Sequence, residues 1–569
     1  MSVLARISRT EFFTKASVST FLLALSMFCT GASGIVAEFV LGTVSSYILG
    51  NAVEQFSVTF GTMLFAMGVG GYIQRHFSDV NLIQRFVLLE IILAILIGFG
   101  PLAIYAAYAT MSFHFYLVQY FFMVAIGLLV GFEIPLITRI NNDFLELKEN
   151  LAAIFSMDYI GAFAGTIVWV YILLQHFPLT EIGFIVAGLN LFVAVITYAF
   201  FKVSGELKHT AKTSAALAFS IILLGVGYHY NRDWSMDLEQ RLYDDQIVYS
   251  ETSRYQHMVM THYKSANDYR FYINGNLQFS SVDEMIYHEQ LVHPAMEIAD
   301  SRKRVLILGG GDGMALREVL KYSAVEHVTL VDLDPAMVEL ASTHPVLTRL
   351  NDSSFADARV HARASDAVEA GMEKQILHQV GVAGDSAKPK FESVAEVDVF
   401  NVDASRFLDK VSTNWDVVVV DLPDPNTIQL TKLYSRQFFR KLRGHLAPNG
   451  VVAQQATSPY HAKPAFLTIK RTAEAAGFAT VPYHDNVPSF GEWGWLIYKD
   501  HRSTQPKDIK QKIRQIESFD VQTRYLNPKT AKAALVFGKG ALQSDSAEVN
   551  TLMQPVLLEK YRQESWKIE

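Results

Sequence analysis

The most constraining feature of this sequence is a series of long apolar runs, nearly free of charge, that fills its first 230 positions. Seven of these runs are close to the ~20 residues that an α-helix needs to cross a bilayer. They lie at roughly 18–42, 54–74, 84–107, 113–137, 151–174, 181–201 and 213–230. The first run is too long, and too soon followed by others, for a cleaved signal peptide. The pattern therefore predicts a multi-pass α-helical membrane domain at 1–230.

The distribution of lysine and arginine predicts how these spans are oriented. Basic residues precede the first span and recur in alternate loops, whereas the loops near 43–53, 108–112 and 175–180 have none. The positive-inside bias therefore puts the N-terminus in the cytoplasm of a cell-membrane protein. If all seven segments cross the bilayer, the rest of the chain lies outside the cell. If the seventh segment only lies in the membrane interface, the rest of the chain stays cytoplasmic. The sequence leaves the side of the C-terminal half open.

Several acidic residues lie within or near the ends of the predicted spans. They are Glu38, Glu90, Glu133 and Asp158. Burying an ionisable group at membrane depth costs free energy, so one interpretation of these acids is cation binding or transport. The other is that they lie near the ends of spans or pair with each other across the helix bundle. Glycine-rich runs at 68–71 and 161–165 predict close helix packing. Cys29 is the single cysteine, which excludes an internal disulfide.

The pattern changes after residue 237. Residues 237–281 alternate apolar and polar positions around a turn signal at 274–276, which predicts a small antiparallel β-sheet. Residues 282–500 alternate apolar strands with helical segments, as in a doubly wound, Rossmann-like α/β domain of the methyltransferase type, with a surface insertion near 368–396. Residues 501–569 form an extension whose role the sequence does not indicate. The net charge of −7 gives no indication of a nucleic-acid partner.

A glycine cluster near the start of this α/β domain predicts a nucleoside-binding turn. Gly309, Gly311 and Gly313 follow an apolar run, a helical segment comes next, and a second apolar run ends in Asp332. Such glycines let the backbone approach a nucleoside, and an acid at the end of the second strand accepts hydrogen bonds from ribose hydroxyls. A glycine cluster alone is also found in structural turns. Asp312, a carboxylate inside the turn, makes this one informative.

Further acids follow other predicted strands, where doubly wound folds bind their ligands. Asp403 follows one strand, and Asp421 and Asp424 follow the most apolar one. In a methyltransferase the turn would face the carboxylate of S-adenosylmethionine, which Asp312 would repel at a cost of several kilocalories. A ligand that ends in an ammonium group is favoured instead, and decarboxylated S-adenosylmethionine fits this description.

These residues resemble the polyamine aminopropyltransferases, the spermidine synthase family, from about residue 255 to 494. The motifs are the GGGDG turn at 309–313, D-E-x-x-Y-H-E at 283–289 and D-x-x-D-P at 421–425. The apolar N-terminal half and the DLPDPN, LYSRQFF and VPSFGEWGW segments resemble the membrane-bound branch of that family. The resemblance implies transfer of an aminopropyl group from decarboxylated S-adenosylmethionine to putrescine, which yields spermidine and methylthioadenosine.

The resemblance also implies roles for individual residues. Asp421 is the base, whereas Tyr287, His288 and Asp424 hold the diamine. Donor-binding roles fall to the turn glycines, Asp312 and a set around the nucleoside. That set is Gln256, Asp332, Asp403 and Ala404. No metal and no cofactor are expected beyond the co-substrate, and the expected partners are the two small molecules and the lipid bilayer, with homo-oligomerisation left open.

Three departures from the family pattern concern the two substrates. Asp332 replaces the usual glutamate, the glycine and proline that usually follow D-x-x-D-P are missing, and Phe490 stands near a usual tyrosine. The nucleoside site is expected to tolerate these changes, but the identity of the acceptor amine stays open. One alternative is a polyamine or cation transporter or sensor with a non-catalytic nucleoside-binding domain. Another is an S-adenosylmethionine methyltransferase, which Asp312 disfavours.

Overall fold

The computed structural model describes residues 15–49, 52–110, 115–141, 147–207, 210–356 and 395–563. The chain divides into two compact units, Met1–Gln246 and Ile247–Glu569. The first unit is helical. Its helices are α1 (Lys15–Leu49), α2 (Ala52–Gln74), α3 (Leu82–Thr110), α4 (Phe115–Asn141), α5 (Leu147–Val168), α6 (Leu174–His176), α7 (Leu179–Val203) and α8 (Thr210–Gln240).

Seven helical spans among the described residues are long and apolar enough to cross a membrane, which confirms the predicted number. A π-helical turn at Trp169–Leu173 joins α5 to α6, so these two helices make one span. The last helix, α8, continues to Gln240, beyond the predicted end at 230. Hydropathy marks only the apolar part of a helix, whereas backbone hydrogen bonding continues through polar residues. The side on which the N-terminus lies stays a prediction.

Glycines bring pairs of these helices into close contact, as the small-residue runs predict. A Cβ on Gly161 of α5 would lie 2.0 Å from the carbonyl oxygen of Phe28 on α1. A Cβ on Gly70 of α2 would lie 2.3 Å from the carbonyl oxygen of Leu128 on α4. The prediction does not hold at Gly68, where a Cβ would meet no atom within 4 Å among the described residues.

The second unit begins with a small four-stranded sheet of order β1-β2-β3-β4. Its strands are β1 (Gln246–Thr252), β2 (His257–Tyr263), β3 (Asp268–Ile273) and β4 (Asn276–Ser280). The pairs β2–β3 and β3–β4 are antiparallel. Asn274 and Gly275 have φ angles of 50° and 77°, the left-handed values that a tight hairpin turn needs. The predicted small antiparallel sheet is therefore present.

The larger sheet has seven strands in the order β10-β11-β9-β8-β5-β6-β7. The strands are β5 (Arg304–Gly309), β6 (His327–Asp332), β7 (Glu396–Asn401), β8 (Trp415–Asp421), β9 (Leu446–Gln455), β10 (Phe478–Val487) and β11 (Gly491–Asp500). Strands β5 to β9 are parallel, and β11 runs antiparallel to both β9 and β10. This doubly wound sheet confirms the predicted fold class.

Helices and short helical turns accompany these strands. They are α9 (Glu284–Ile298), α10 (Met314–Leu320), α11 (Pro335–Thr343), α12 (Pro345–Leu350), Ser354–Ala356, α13 (Ala404–Lys410), α14 (Ile428–Thr431), Lys432–Tyr434, α15 (Arg436–Gly444), α16 (Lys463–Ala475), α17 (Pro506–Arg514), α18 (Pro528–Ala533) and α19 (Val556–Gln563). The last three belong to the C-terminal extension. The predicted insertion near 368–396 lies, except for its last two residues, outside the described residues.

The central strands explain where a ligand site forms. Residues 305–308 of β5 and 417–420 of β8 are completely buried, as expected for parallel strands covered on both faces. From β5 the chain proceeds to β6 and β7 on one side and later to β8 and β9 on the other. The carboxyl edge between β5 and β8 is therefore the switch point at which such sheets bind ligands. The register pairs Gly309 directly with Asp421 at this edge.

Candidate active site

The glycine-rich turn lies at the carboxyl end of β5, between two carboxylates. Gly309 has a φ of +83°, and a Cβ there would lie 2.0 Å from the carbonyl oxygen of Asp421. The backbone N–H of Gly311 donates to Asp332 Oδ2 at 3.0 Å, and a Cβ on Gly311 would lie 2.7 Å from the same oxygen. Gly313, with a φ of +78°, caps α10. Only glycine meets these demands without strain, so the turn fits between the ends of β6 and β8.

Asp332 lies at the end of β6, where a ribose is expected. Its Oδ2 accepts from Gly311, and its Oδ1 accepts from the backbone N–H of Asp334 at 2.8 Å. Burial raises the pKa of Asp332 to about 7, although these two N–H donors oppose the shift. Ser253 links Gln256 to this region, because its hydroxyl oxygen accepts from the backbone N–H of Gln256 at 3.1 Å and the hydroxyl donates to Asp334 Oδ2 at 2.6 Å. The structure therefore brings the predicted residues Gln256 and Asp332 to the same edge of the sheet.

Asp403 and Ala404 lie beside Asp332, after the neighbouring strand β7. The backbone N–H of Val402 donates to the carbonyl oxygen of Asp332 at 3.1 Å. Asp403 Oδ1 caps α13 by accepting from the backbone N–H of Arg406 at 3.0 Å, and Asp403 Oδ2 lies 2.5 Å from Lys432 Nζ. Both carboxylate oxygens thus have partners in the chain. The adenosine contact implied for Asp403 and Ala404 stays a prediction.

Two carboxylates and two α9 side chains meet at the turn. Asp312 Oδ1 accepts from the backbone N–H of Met314 at 2.8 Å, which fixes the side chain within the turn. One polar side-chain atom from each of His288, Asp312 and Asp421 lies within 4.8 Å of the others. The hydroxyl of Tyr287 donates to Asp421 Oδ1 at 2.7 Å. Helix α9 therefore brings both of its predicted site residues to the two carboxylates, an arrangement suited to cationic ligands.

A buried ion pair holds α9 in this position. Arg317 on α10 donates to Glu284 Oε1 at 3.0 Å and to Glu284 Oε2 at 2.9 Å, and both side chains are fully buried. Glu284 Oε2 in turn lies 3.0 Å from His288 Nδ1. This leaves His288 Nε2 directed toward Asp421, with a separation of 4.0 Å from Asp421 Oδ2. A chain of charge-assisted hydrogen bonds thus orients the histidine.

The charges of this cluster shift both key pKa values. Burial raises the pKa of Asp421 to about 6, and the charge of Asp312 adds to the increase, whereas His288 and Tyr287 oppose it. Burial alone would lower the pKa of His288, but the hydrogen bond to Glu284 and the surrounding carboxylates raise it to about 9. At neutral pH the site therefore combines an ionised Asp421, which can accept a proton, with a cationic His288.

Asp424 follows Asp421 by three residues and has three hydrogen-bond donors that the sequence does not predict. Gln455 Nε2 donates to Asp424 Oδ1 at 3.3 Å, and Thr457 Oγ1 donates to Oδ2 at 3.1 Å. The hydroxyl of Tyr561 donates to Oδ2 at 2.8 Å. Gln455 ends β9 and Thr457 follows it by two residues, and their place at the end of a strand beside β8 was the available signal. Tyr561 comes from the C-terminal extension, for which the sequence carries no signal.

Three aromatic side chains on β11 and in the turn before it form an aromatic wall beside Tyr287. The ring of Tyr287 lies 6.2 Å from Phe490, 6.5 Å from Trp493 and 5.8 Å from Trp495, measured between centroids. Phe490 therefore stands beside Tyr287 and offers an apolar face. Such faces suit the methylene chain of an amine and attract its ammonium groups.

Two groups of side chains among the described residues are close enough together to share a metal ion. They are His288 with Asp312 and Asp421, and Glu289 with His293 and Glu318. In the first group Glu284 occupies His288 Nδ1, and a ring with a pKa of about 9 is protonated at neutral pH and has no free lone pair. In the second group Glu318 already pairs with Arg317 and Lys321. Both groups therefore fit an ion-paired role, and the metal-free site stays a prediction.

The part of the chain that carries these side chains matches a known protein family. The family model described as the spermine/spermidine synthase domain matches residues 284–375 and 372–510. Polyamine aminopropyltransferase 2 of Ralstonia nicotianae is 36% identical over 96% of this chain and 98% of its own length. Polyamine aminopropyltransferase 2 of Aquifex aeolicus is 34% identical over 96% of this chain and 99% of its own length. The similarity thus includes the helical unit as well as the α/β unit.

Solved structures are similar to about half of the chain. A spermidine synthase in complex with the transition state analogue AdoDATO covers 52% of this chain and 88% of its own, with 22% identity and a TM-score of 0.41. The spermidine synthase from Thermotoga maritima covers 52% and 87%, with 21% identity and a TM-score of 0.40.

Proposed function

The chain belongs to the spermine/spermidine synthase family and is a polyamine aminopropyltransferase, and we propose that its acceptor is putrescine and its general base Asp421. The donor in this proposal is decarboxylated S-adenosylmethionine, and the products are spermidine and methylthioadenosine. The observation that carries the proposal is the placement of Asp312 inside the glycine turn, within 4.8 Å of the Asp421 and His288 groups. A carboxylate there attracts the ammonium end of the donor and repels the amino-acid end of S-adenosylmethionine.

The reaction is an in-line displacement. A primary amine of putrescine attacks the methylene carbon next to the sulfonium, a C–N bond forms, and the C–S bond breaks. Its electron pair stays on sulfur, which becomes the neutral thioether of methylthioadenosine. Asp421 accepts the proton that the attacking nitrogen loses, and its pKa of about 6 leaves it ionised at neutral pH. The sulfonium is a good leaving group, so positioning and proton removal suffice for catalysis.

The two ends of the acceptor require different surroundings. Near the attacking amine, Tyr287 donates to Asp421 Oδ1, and this hydrogen bond holds the carboxylate in place. At the distal ammonium, Asp424 supplies the opposite charge. Between them the aromatic wall contacts the methylene chain. This division of roles favours a diamine over a monoamine, because only a diamine pairs with Asp424 while it presents a second nitrogen to the base.

A direct assay tests the proposal. The full chain, in detergent or in native membranes, is incubated with decarboxylated S-adenosylmethionine and a panel of di- and triamines, and methylthioadenosine is measured. Turnover is expected with putrescine. Asp421→Asn is expected to lower kcat by roughly 10²- to 10⁴-fold, the usual contribution of a positioned base. Release of methylthioadenosine with no amine of the panel would refute the proposed reaction.

The membrane location is part of the proposal. Seven helical spans among the described residues that are long and apolar enough to cross a bilayer support a multi-pass protein of the cell membrane. Reporter fusions after Lys212 and after Asp237 test the side of the α/β unit. Signals on opposite sides establish α8 as a full span, and signals on the same side make it interfacial.

A second candidate function, cation binding in the membrane unit, rests on Glu90 of α3 and Glu133 of α4. Both side chains are buried and lie next to each other. Among the described residues, no hydrogen-bond partner is found for either oxygen of Glu90 or for Oε1 of Glu133. Two such carboxylates need a shared proton or a cation, because buried uncompensated charge is costly. Polyamine uptake into vesicles, compared between the wild type and Glu90→Gln, tests this function, and equal uptake would exclude a role for Glu90.

A further inference from the structure

The C-terminal extension reaches the acceptor side of the active site. Asn550 is fully buried, and its side chain donates to the carbonyl oxygens of Thr431 at 2.8 Å and Tyr434 at 3.1 Å. Leu557 on α19 is also fully buried and belongs to the core on one face of the large sheet. These two anchors, one before α19 and one in its first turn, fix the helix that carries Tyr561. The position of the Tyr561 hydroxyl is therefore determined by core packing.

The contacts of Asp424 show what this hydroxyl does. An ionised carboxylate has about four acceptor positions. Gln455, Thr457 and Tyr561 fill three of them, which leaves about one for a ligand. All three donors are neutral, so within the described part of the chain the negative charge of Asp424 is stabilised by hydrogen bonds and is not neutralised by a contacting cation. A carboxylate prepared in this way is a receptor for one external cation.

The titratable groups around Asp424 support the same conclusion. Tyr287 on α9, Tyr434 before α15 and Tyr561 on α19 face Asp424, and Asp421 ends the strand that precedes it. Burial raises the pKa of Tyr287 and that of Tyr434 well above the ordinary value, so both are neutral at neutral pH. Burial raises the pKa of Asp424 to about 6, and the bond from Tyr561 opposes this increase, followed by those from Thr457 and Gln455. Loss of the Tyr561 hydroxyl would therefore move the ionisation of Asp424 to higher pH.

We propose that Tyr561 is a positioning residue of the acceptor site, which holds Asp424 Oδ2 so that Asp424 receives the distal ammonium of the diamine. This inference rests on the proposed function and extends it to a residue of the extension after residue 500. The helix that carries Tyr561 thus completes the acceptor site. Arg562, the next residue, donates from Nε to the carbonyl oxygen of Asn426 at 3.1 Å, which ties the same helix to the loop that carries Asp424.

The test uses Tyr561→Phe in the full-length protein, because phenylalanine keeps the ring and removes only the hydroxyl. We expect KM for the acceptor to rise about tenfold or more, as for loss of a hydrogen bond to a charged group. KM for the donor and kcat at saturating acceptor should change by less than about threefold, and the acid limb of kcat/KM for the acceptor should move to higher pH. The matched control is Tyr525→Phe. Tyr525 also lies in the extension, and its hydroxyl donates a hydrogen bond to the carboxylate of Asp485 on β10. The kinetics of this control variant should equal those of the wild type.

Two outcomes would overturn the inference. One is an unchanged acceptor KM and pH profile in Tyr561→Phe. The other is an equal loss for donor and acceptor with a lowered melting temperature, which indicates a purely structural role. A double-mutant cycle with Asp424→Asn decides the case even if the single variant is less stable, because Tyr561→Phe should have no further effect on acceptor KM in that background. Wild-type turnover, measured first with the whole amine panel, separates failure of the proposed function from failure of this inference.

Discussion

Gly309→Ala is the substitution with the most direct consequence for the active site. Gly309 pairs with Asp421 in the sheet register, has a φ of +83° and leaves only 2.0 Å between a Cβ and the carbonyl oxygen of Asp421. An ordinary contact needs at least 3.4 Å, so the end of β8 must retreat by about 1.4 Å (3.4 − 2.0). The left-handed backbone adds a penalty of roughly 1–2 kcal/mol for a residue with a Cβ.

We therefore expect Gly309→Ala to lower both activity and stability. A misplacement of about 1 Å in a reacting group can reduce a rate by roughly 10²-fold, so kcat for methylthioadenosine release should fall by about that factor. The melting temperature of the purified protein should fall by a few degrees, at roughly 2–4 °C for each kcal/mol.

Gly444→Ala is the matched control, since Gly444 ends α15 and a Cβ there meets no atom within 4 Å among the described residues. It should leave kcat and the melting temperature unchanged or raise the latter slightly. A Gly309→Ala variant that keeps kcat within threefold of wild type would show that the register of β5 against β8 does not position Asp421 for the reaction.

Three further predictions concern the charges of the site. Asp312→Asn should raise KM for decarboxylated S-adenosylmethionine by roughly tenfold or more and strengthen the binding of S-adenosylmethionine. Unchanged affinities for both molecules in calorimetry would refute the role of this carboxylate. The value of kcat/KM should fall below pH about 6, because the pKa of Asp421 is raised to about that value and its carboxylate can accept a proton only above it. It should fall again above pH about 9, where His288 loses its charge. A flat kcat/KM between pH 5 and 7 would contradict the first limb. Arg317→Met should destabilise the protein by up to about 3–5 kcal/mol, because it removes the buried cation that pairs with Glu284 and Glu318 and leaves Glu284 only His288 and Arg524. Lys303→Met, which removes one side of an exposed ion pair, should leave the melting temperature near that of the wild type.

The fold was largely predictable because its signals are local. Runs of apolar residues of membrane length appear directly in the sequence, and seven such helical spans form within the described ranges. The alternation of buried strands and helices predicted the doubly wound sheet, since strands covered on both faces read as continuous apolar runs. The predicted seventh span ends at residue 230, ten residues before α8 ends at Gln240, because the apolar run stops before the helix does.

Much of the site was predictable for the same reason. Asp312, Asp332 and Asp421 follow directly from a turn and two strand ends, and the structure gathers them at one edge of the sheet. The hydrogen bonds that prepare them were not predictable. Thr457 and Tyr561 both donate to Asp424, yet they lie 33 and 137 residues away from it along the chain.

The sequence by itself determined which elements form and which acids end the strands, because helix length, strand alternation and glycine turns depend on neighbours within a few positions. Only the tertiary structure decided the β5–β8 register that pairs Gly309 with Asp421, the His288–Glu284–Arg317 chain and the arrival of Tyr561 at Asp424. These contacts join segments that are distant in the chain, and burial brings those segments together. The low dielectric of the buried site also sets the pKa values on which the chemistry depends.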